Sequence, residues 1–420
     1  MSRDIVLITI DCWRYDAVER MSNLLSLTGH YTRTEAICQA AATNGVFPAI
    51  LSSMYYPYAY EGCVYPTLKG FGMVKPDVCP LPQVLSENGY STAAIIGANP
   101  FLNKWAKYFD YFWNGGLSGV STDVVRCNSS LCREIERIHK FIMLKHLVTA
   151  AELAKRAKHW YEEQEKPRFL WVHLMEPHDP YLPGLKKGFE EGLLKSYRAT
   201  FQFMKDRNDC SKEVLDTMQD LYWKSVDKLD EQIHRLLDFV NEDATILIMA
   251  DHGQAFLHGY HRHARLYDEC VRVPLLIRWT MTNPLPPINK SVRQIDLPPT
   301  LLKGLNIPIP YSWQGRAMQD GLTLLSPMMN HAPRSQRTYI GIRTEGSKLI
   351  RTYNSSTGEE VGMELYDLGK DEEEQNNIYG NAEAEEMERH LEEFLQPLKS
   401  ASNERERLKK LGQRLKKSGI

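Results

Sequence analysis

The chain has 420 residues and a formal net charge of −2, long enough for two domains and too balanced for bulk attraction to nucleic acid. Hydrophobic residues at 43% and charged residues at 25% form an ordinary globular mixture. No apolar run approaches the length that crosses a bilayer, so no transmembrane segment is expected.

The opening "MSRDIVLITIDCWRYD" does not read as a secretory signal, because Asp11 interrupts the apolar run. Eight cysteines are scattered without a Cys-x-x-Cys pair, which argues against a zinc knuckle or redox dithiol. A soluble, cytoplasmic protein in a reducing compartment is expected.

In chain order, residues 4–10, "DIVLITI", predict a strand buried on both faces. Residues 91–97, 168–174, 244–250 and 273–279 predict four more. Helical periodicity spans 134–166 and 211–240. Strands alternating with helices predict a layered α/β domain with a mostly parallel central sheet flanked by helices. Residues 283–310, "NPLPPINKSVRQIDLPPTLLKGLNIPIP", read as a Pro-rich linker around the edge of that domain. From Arg337 the strands "RTYIGIR", "SKLIRTY" and "GMELYDL", then an acidic helix near 382–396, predict a small C-terminal antiparallel subdomain. The expected division is 1–330 catalytic, 331–400 C-terminal α+β, and 401–420 a basic helical tail. Residues 404–420 carry seven Lys or Arg against two Glu. That tail reads as an oligomerisation helix, an anionic-membrane contact or a frayed end.

Two predicted strands end in carboxylates: Asp11 after "IVLITI", and Asp251 with His252 after "ILIMA". Open parallel sheets place ligands at the carboxyl ends of their strands. Two Asp and one His suit a divalent cation, although an Asp capping the following helix is an equal reading of either alone. Thr43, in "AAATNGVFPAILSS", precedes a helical run whose free amides favour an anion, and it reads equally as a simple N-cap. In "WVHLMEPHDPY", His178 could donate to a substrate oxygen, while His173 lies inside the strand pattern and reads as a core or supporting histidine. His258, His261 and His263 form either a solvated turn or a cationic lining.

Taken together, these segments resemble the sulfatase family of the alkaline phosphatase superfamily. "IVLITIDCWRYD", "TNGVFPAILSSMYYP", "GANPFLNKWAKYFDYF", "WVHLMEPHDPY", "DHGQAFLHGYHRHARLYDECVRVPLLIR" and "MELYDLGKDEEEQNNIYG" carry the resemblance in order. It implies an alkaline-phosphatase-like α/β fold with one divalent metal, Mn²⁺ favoured over Zn²⁺, Mg²⁺, Ca²⁺ or Fe²⁺. It implies metal ligation by Asp11, Thr43, Asp251 and His252, with Thr43 also the nucleophile. His178 and His263 would touch the transferred or leaving group, and Asn99 and His258 would border the substrate pocket. Cys12 stands where many family members have a second metal-binding Asp. "TNGVF" replaces the Cys-x-Pro-x-Arg segment that supports formylglycine, with Phe47 in place of Arg, so that chemistry is not expected.

The resulting expectation is a metal-dependent hydrolase of phosphate mono- or diesters or phosphonate esters, acting through a covalent phospho-threonine on a small anionic substrate. The alternatives are a sulfate ester hydrolase lacking formylglycine and a catalytically inactive binding protein. Homo-oligomerisation is left open.

Overall fold

The computed structural model describes residues 3–115, 148–179, 181, 198–199, 202, 211–258, 265–323, 325–333, 335–380 and 382–417. Its centre is an eight-stranded sheet in the order β4-β3-β5-β1-β6-β7-β2-β8. The strands are β1 Ile5–Ile10, β2 Thr32–Ile37, β3 Ser91–Ile96, β4 Tyr111–Asn114, β5 Arg168–Leu174, β6 Thr245–Ala250, β7 Arg272–Arg278 and β8 Val292–Arg293. β7 runs against both its neighbours and every other pairing is parallel.

β1 occupies the middle because it can: all six residues of "IVLITI" are buried, as a strand covered on both faces requires. Its register brings Ile10 opposite Leu174 of β5 and Ala250 of β6, so three strands finish level. The Asp11 amide continues the ladder to the Leu174 carbonyl at 2.9 Å. Asp11, Asp251 and the segment after β5 therefore emerge on one sheet edge.

Helices Ala150–Glu163 and Lys212–Asp230 start at Thr149 and Ser211, whose side chains accept amide hydrogen bonds as N-caps. Each buries an apolar stripe that includes Leu153 and Trp160 in the first and Leu221, Tyr222 and Val226 in the second. The predicted helical stretch 134–147 lies outside the described residues.

Three strands of this sheet were not expected from the sequence. β2, "TRTEAI", is polar and half exposed, β4 has four residues and β8 only two. The linker expectation also needs correction. Val292 and Arg293 pair with β2, and Pro298 and Pro299 begin helix Leu297–Gly304, where proline fits. Gln294 is buried, and its Nε2 donates to the Ala250 and Asp251 carbonyls at 2.7 and 3.1 Å. A segment read as an edge strap thus supports the end of β6.

The second sheet is antiparallel, β12-β11-β10-β9, built from β9 Ser326–Ala332, β10 Arg337–Arg343, β11 Ser347–Asn354 and β12 Glu360–Asp367. β9 precedes the strands expected there. It joins the main sheet through the Met329 amide, which donates to the Gln39 carbonyl at 2.9 Å. One helix, Ala382–Lys417, packs on the second sheet with Met387, Leu391, Leu395 and Leu398 buried. Among the described residues no helix is long and apolar enough to cross a membrane.

Candidate functional site

Four strand ends supply the site. Asp11 follows β1, Asn99 follows β3, Met175–Asp179 follow β5, and Asp251–His252 follow β6. Thr43 arrives from the segment after β2, as the first residue of helix Thr43–Ser52. The cap position of that helix falls on Ala42, which makes no side-chain cap bond. The Thr43 hydroxyl is therefore available to the cluster. It lies 3.4 Å from both Asp11 Oδ2 and His252 Nε2.

Asp11 and Asp251 are fully buried. Asp11 Oδ2 accepts from Asn99 Nδ2 at 3.3 Å and lies 3.5 Å from His173 Nε2, while Oδ1 lies 3.7 Å from His252 Nε2. Asp251 Oδ1 accepts the amides of His252 at 2.7 Å and Cys12 at 3.3 Å. His252 Nδ1 donates to the Gly253 carbonyl at 2.9 Å, which aims Nε2 at Asp251 Oδ2, 3.5 Å away. Asn99 is fixed from both sides: its amide donates to Asn114 Oδ1 at 2.9 Å, and its Oδ1 accepts from the Phe101 amide at 3.2 Å.

Burial raises the Asp251 carboxyl well above the usual range, and the neighbouring Asp11 charge raises it further. Burial acts on Asp11 in the same sense, but His178, His173 and His252 outweigh it and hold that carboxyl low. His252 is pushed below its ordinary value by burial, which favours the neutral imidazole that a metal takes as ligand. Two carboxylates buried side by side cannot both stay ionised without nearby positive charge. Asp11 Oδ1 and Asp251 Oδ2 have no hydrogen-bond donor among the described residues. Orphaned carboxylate oxygens beside an imidazole and a hydroxyl fit a divalent cation.

The structure thus brings together Asp11, Thr43, Asp251, His252 and Asn99. It also places His173, read from the sequence as a core or supporting histidine, in the supporting position. Its ring is buried, Nδ1 lies 2.9 Å from Thr9 Oγ1, and Nε2 faces Asp11. The signal was hidden in register: Thr9 pairs with His173 one step before the strand ends. His178 sits at the rim with its side chain 23% exposed, and Nδ1 contacts the Asp179 carbonyl. Asp11, Cys12 and His178 offer ligand atoms within 4.8 Å of one another, as do Asp11, His173 and Asp251. His258 is committed elsewhere. Nδ1 pairs with Glu269 Oε1 at 3.0 Å, Nε2 lies 3.1 Å from the Glu374 carbonyl, and the ring stacks on Tyr267. His261 and His263 lie outside the described residues.

Comparison with known proteins supplies the family. The sulfatase family model matches residues 3–307, and that of the N-sulphoglucosamine sulphohydrolase C-terminal domain matches 257–401. The N-acetylglucosamine-6-O-sulfatase of Bacteroides thetaiotaomicron is 29% identical over 195 residues, 42% of this chain and 34% of that protein. The chain therefore matches about a third of that relative's length. A protein solved with its substrate D-glucosamine-2-N,6-O-disulfate superposes with TM-score 0.66 at 17% identity, covering 95% of this chain and 99% of that one. A 2-O GAG sulfatase superposes with TM-score 0.68 at 14% identity, covering 97% and 94%. At these identities the superpositions establish the fold alone.

The expected phosphate or phosphonate esterase working through a phospho-threonine is corrected by these matches. Both family models are sulfatase models, and the curated relative is a sulfatase. The expectation leaned on the missing formylglycine segment at "TNGVF", and the matches favour the alternative of a sulfate ester hydrolase lacking formylglycine. With its site at the carboxyl edge of the central sheet and a match over residues 3–307, the chain belongs to the sulfatase family.

Proposed function

We propose that this chain hydrolyses sulfate esters of a sulfated amino sugar, without formylglycine. The observation that carries the reading is the Thr43 hydroxyl, 3.4 Å from both Asp11 and His252, in a chain that matches the sulfatase model. The substrate class follows the printed names of the relatives, an N-acetylglucosamine-6-O-sulfatase and a protein whose substrate is a disulfated glucosamine.

Asp11, Asp251, His252 and Thr43 would hold one divalent cation, and two carboxylates with an imidazole and a hydroxyl make Mn²⁺ the first to test. When bound, that cation supplies positive charge that acidifies a hydroxyl and neutralises oxyanions. The chain's own residues do the rest. Thr43 Oγ1 would be the nucleophile, its proton facing the Asp11 carboxylate. As it bonds the sulfur the sugar oxygen leaves and takes up a proton, and water then cleaves the threonine sulfate, releasing sulfate and restoring the hydroxyl. Oxidising a threonine would yield a ketone, so the hydroxyl must act intact. The first-turn amides at Thr43 and Asn44 lack intrahelical acceptors and would receive the non-bridging sulfate oxygens. Asn99 and His173 hold Asp11 in place through its Oδ2.

Turnover of aryl sulfate against aryl phosphate, with sulfate release from 6-O-sulfated glucosamine, tests the reading. Sulfate release that disappears in Thr43→Ala is expected. Hydrolysis of phosphate esters with no sulfate ester cleaved would overturn it.

A further inference from the structure

We propose that Tyr222 is a positioning residue for this site: its hydroxyl holds residue 12 in the left-handed turn that joins Asp11 to Asp251. This rests on the reading that Asp11 and Asp251 work together, and it is independent of which ester is cleaved.

The turn begins where β1 ends. The Asp11 amide still continues the ladder to the Leu174 carbonyl, and Cys12 then leaves it with φ 60. There the Cβ of an L-residue crowds its own backbone, so a residue other than glycine stays only when its surroundings hold it. The turn has a use. It aims the Cys12 amide at Asp251 Oδ1, 3.3 Å away, so the segment that carries one buried aspartate hydrogen-bonds the other.

Tyr222 provides the hold. It lies on helix Lys212–Asp230 and is fully buried. Its hydroxyl donates to the Cys12 carbonyl at 3.0 Å and accepts from the Arg14 amide at 2.9 Å. One oxygen thus fixes the peptide groups on both sides of Trp13. Burial pushes the phenol far above its ordinary pKa, so it remains a hydroxyl that donates and accepts at once.

The ring of the same residue reaches the neighbouring segments. Its centroid lies 5.7 Å from that of Tyr181, beyond β5, and 5.3 Å from that of Phe256, beyond β6, both edge to face. β5, β1 and β6 are adjacent in the sheet. A single side chain therefore meets the chain beyond each of the three strands that carry Asp11, His178 and Asp251. Arg14 extends the connection, its Nη1 donating to the Gln254 carbonyl at 2.7 Å.

Tyr222→Phe keeps the ring and removes the hydroxyl, and Cys12→Gly installs a residue that takes positive φ without strain. Made singly and together in the full chain, they form a double-mutant cycle read by hydrogen exchange at the residue 12 amide. That amide should be protected in the wild type, and Tyr222→Phe should lower its protection about tenfold, the scale of one hydrogen bond. With Cys12→Gly present, the same change should cost about threefold or less, because little strain is left to hold. A role confined to overall stability would instead lower the β10 amides equally and gain no relief from Cys12→Gly. Turnover of aryl sulfate should fall with the protection. An unprotected wild-type amide, an equal fall in β10, or the full loss persisting with Cys12→Gly overturns the proposal. So does wild-type protection or wild-type turnover in Tyr222→Phe. Absence of sulfate release by the wild type removes the functional reading and leaves the exchange cycle to decide the role of Tyr222.

Discussion

Replacing Lys348 with methionine tests how the second sheet is fastened to helix Asp268–Val271. Lys348, on β11, is fully buried; its ammonium bonds Asp268 and lies 2.8 Å from Glu374 Oε1. Asp268 opens the short helix Asp268–Val271, C-terminal to His252 in the chain. In Lys348→Met, Asp268 keeps the Arg343 guanidinium at 2.8 and 3.0 Å. Glu374, 1% exposed at its side chain, keeps the Asp268 amide but loses its cation. Removing one member of a buried ion pair costs about 3–5 kcal/mol, and the surviving Arg343 places this case near the lower end. Burial and then Asp268 raise Glu374 to about 6 even with Lys348 present. A carboxyl raised in the folded state binds more protons there than in the unfolded chain. Stability therefore falls as pH rises from the ordinary glutamate value through about 6. Without Lys348 that window moves upward, so the loss should be greatest near pH ~8 and ease on acidification. Hydrogen exchange of the β10 and β11 amides reads this locally, and about 3 kcal/mol is roughly a hundredfold in protection. Adding Glu374→Gln should recover part of the loss. A change below about tenfold near pH 8, or one that does not ease in acid, would refute the reasoning.

Thr43→Ala should reduce turnover by at least about a thousandfold, while Thr43→Ser keeps measurable activity, as steady-state kinetics would show. Chelation should abolish turnover, and adding back a divalent cation should restore it; full activity in chelator would remove the cation from the reaction. Burial lowers the His258 pKa, but the contacts to Glu269 and the Glu374 carbonyl outweigh it, so the folded value lies above the ordinary one. Its stabilising contribution is present below the unfolded imidazole pKa and lost as pH rises through the raised folded value. Hydrogen exchange of the Phe256 and Leu257 amides, which donate to Glu269, should accordingly accelerate across that window, and a pH-independent protection would contradict it.

Legibility from sequence followed burial. β1, β5 and β6 were readable because strands covered on both faces show unbroken apolar runs. β2 was not, because Thr32 and Arg33 are exposed and its outer neighbour has two residues. Asp11, Asp251 and His252 were readable from their place just past strand ends, a rule that needs no partner. The partner of His173 and the burial of Gln294 escaped for the opposite reason. Each matters only through a cross-strand or cross-segment contact, to Asp11 and to the Ala250 and Asp251 carbonyls respectively. Composition misread Gln294 because neighbouring prolines signal a linker, whereas here they start a buried helix.

The same contacts bear on why such a site would favour sulfate. The partners of Asp11, Thr43 and Asp251 among the described residues include neither lysine nor arginine. Phe47 packs its ring against Trp171 and His173. Positive charge at the reacting centre would thus come chiefly from bound cation, and the two aspartates consume most of one. A phosphate monoester carries close to two negative charges at neutral pH, whereas a sulfate monoester carries one. Each further unit charge set about 4 Å from an ionised Thr43 oxygen costs on the order of 4 kcal/mol at an effective dielectric near 20. That difference is larger than any single hydrogen bond the site could offer the extra oxygen charge, so an uncompensated dianion is the poorer substrate even where its size fits.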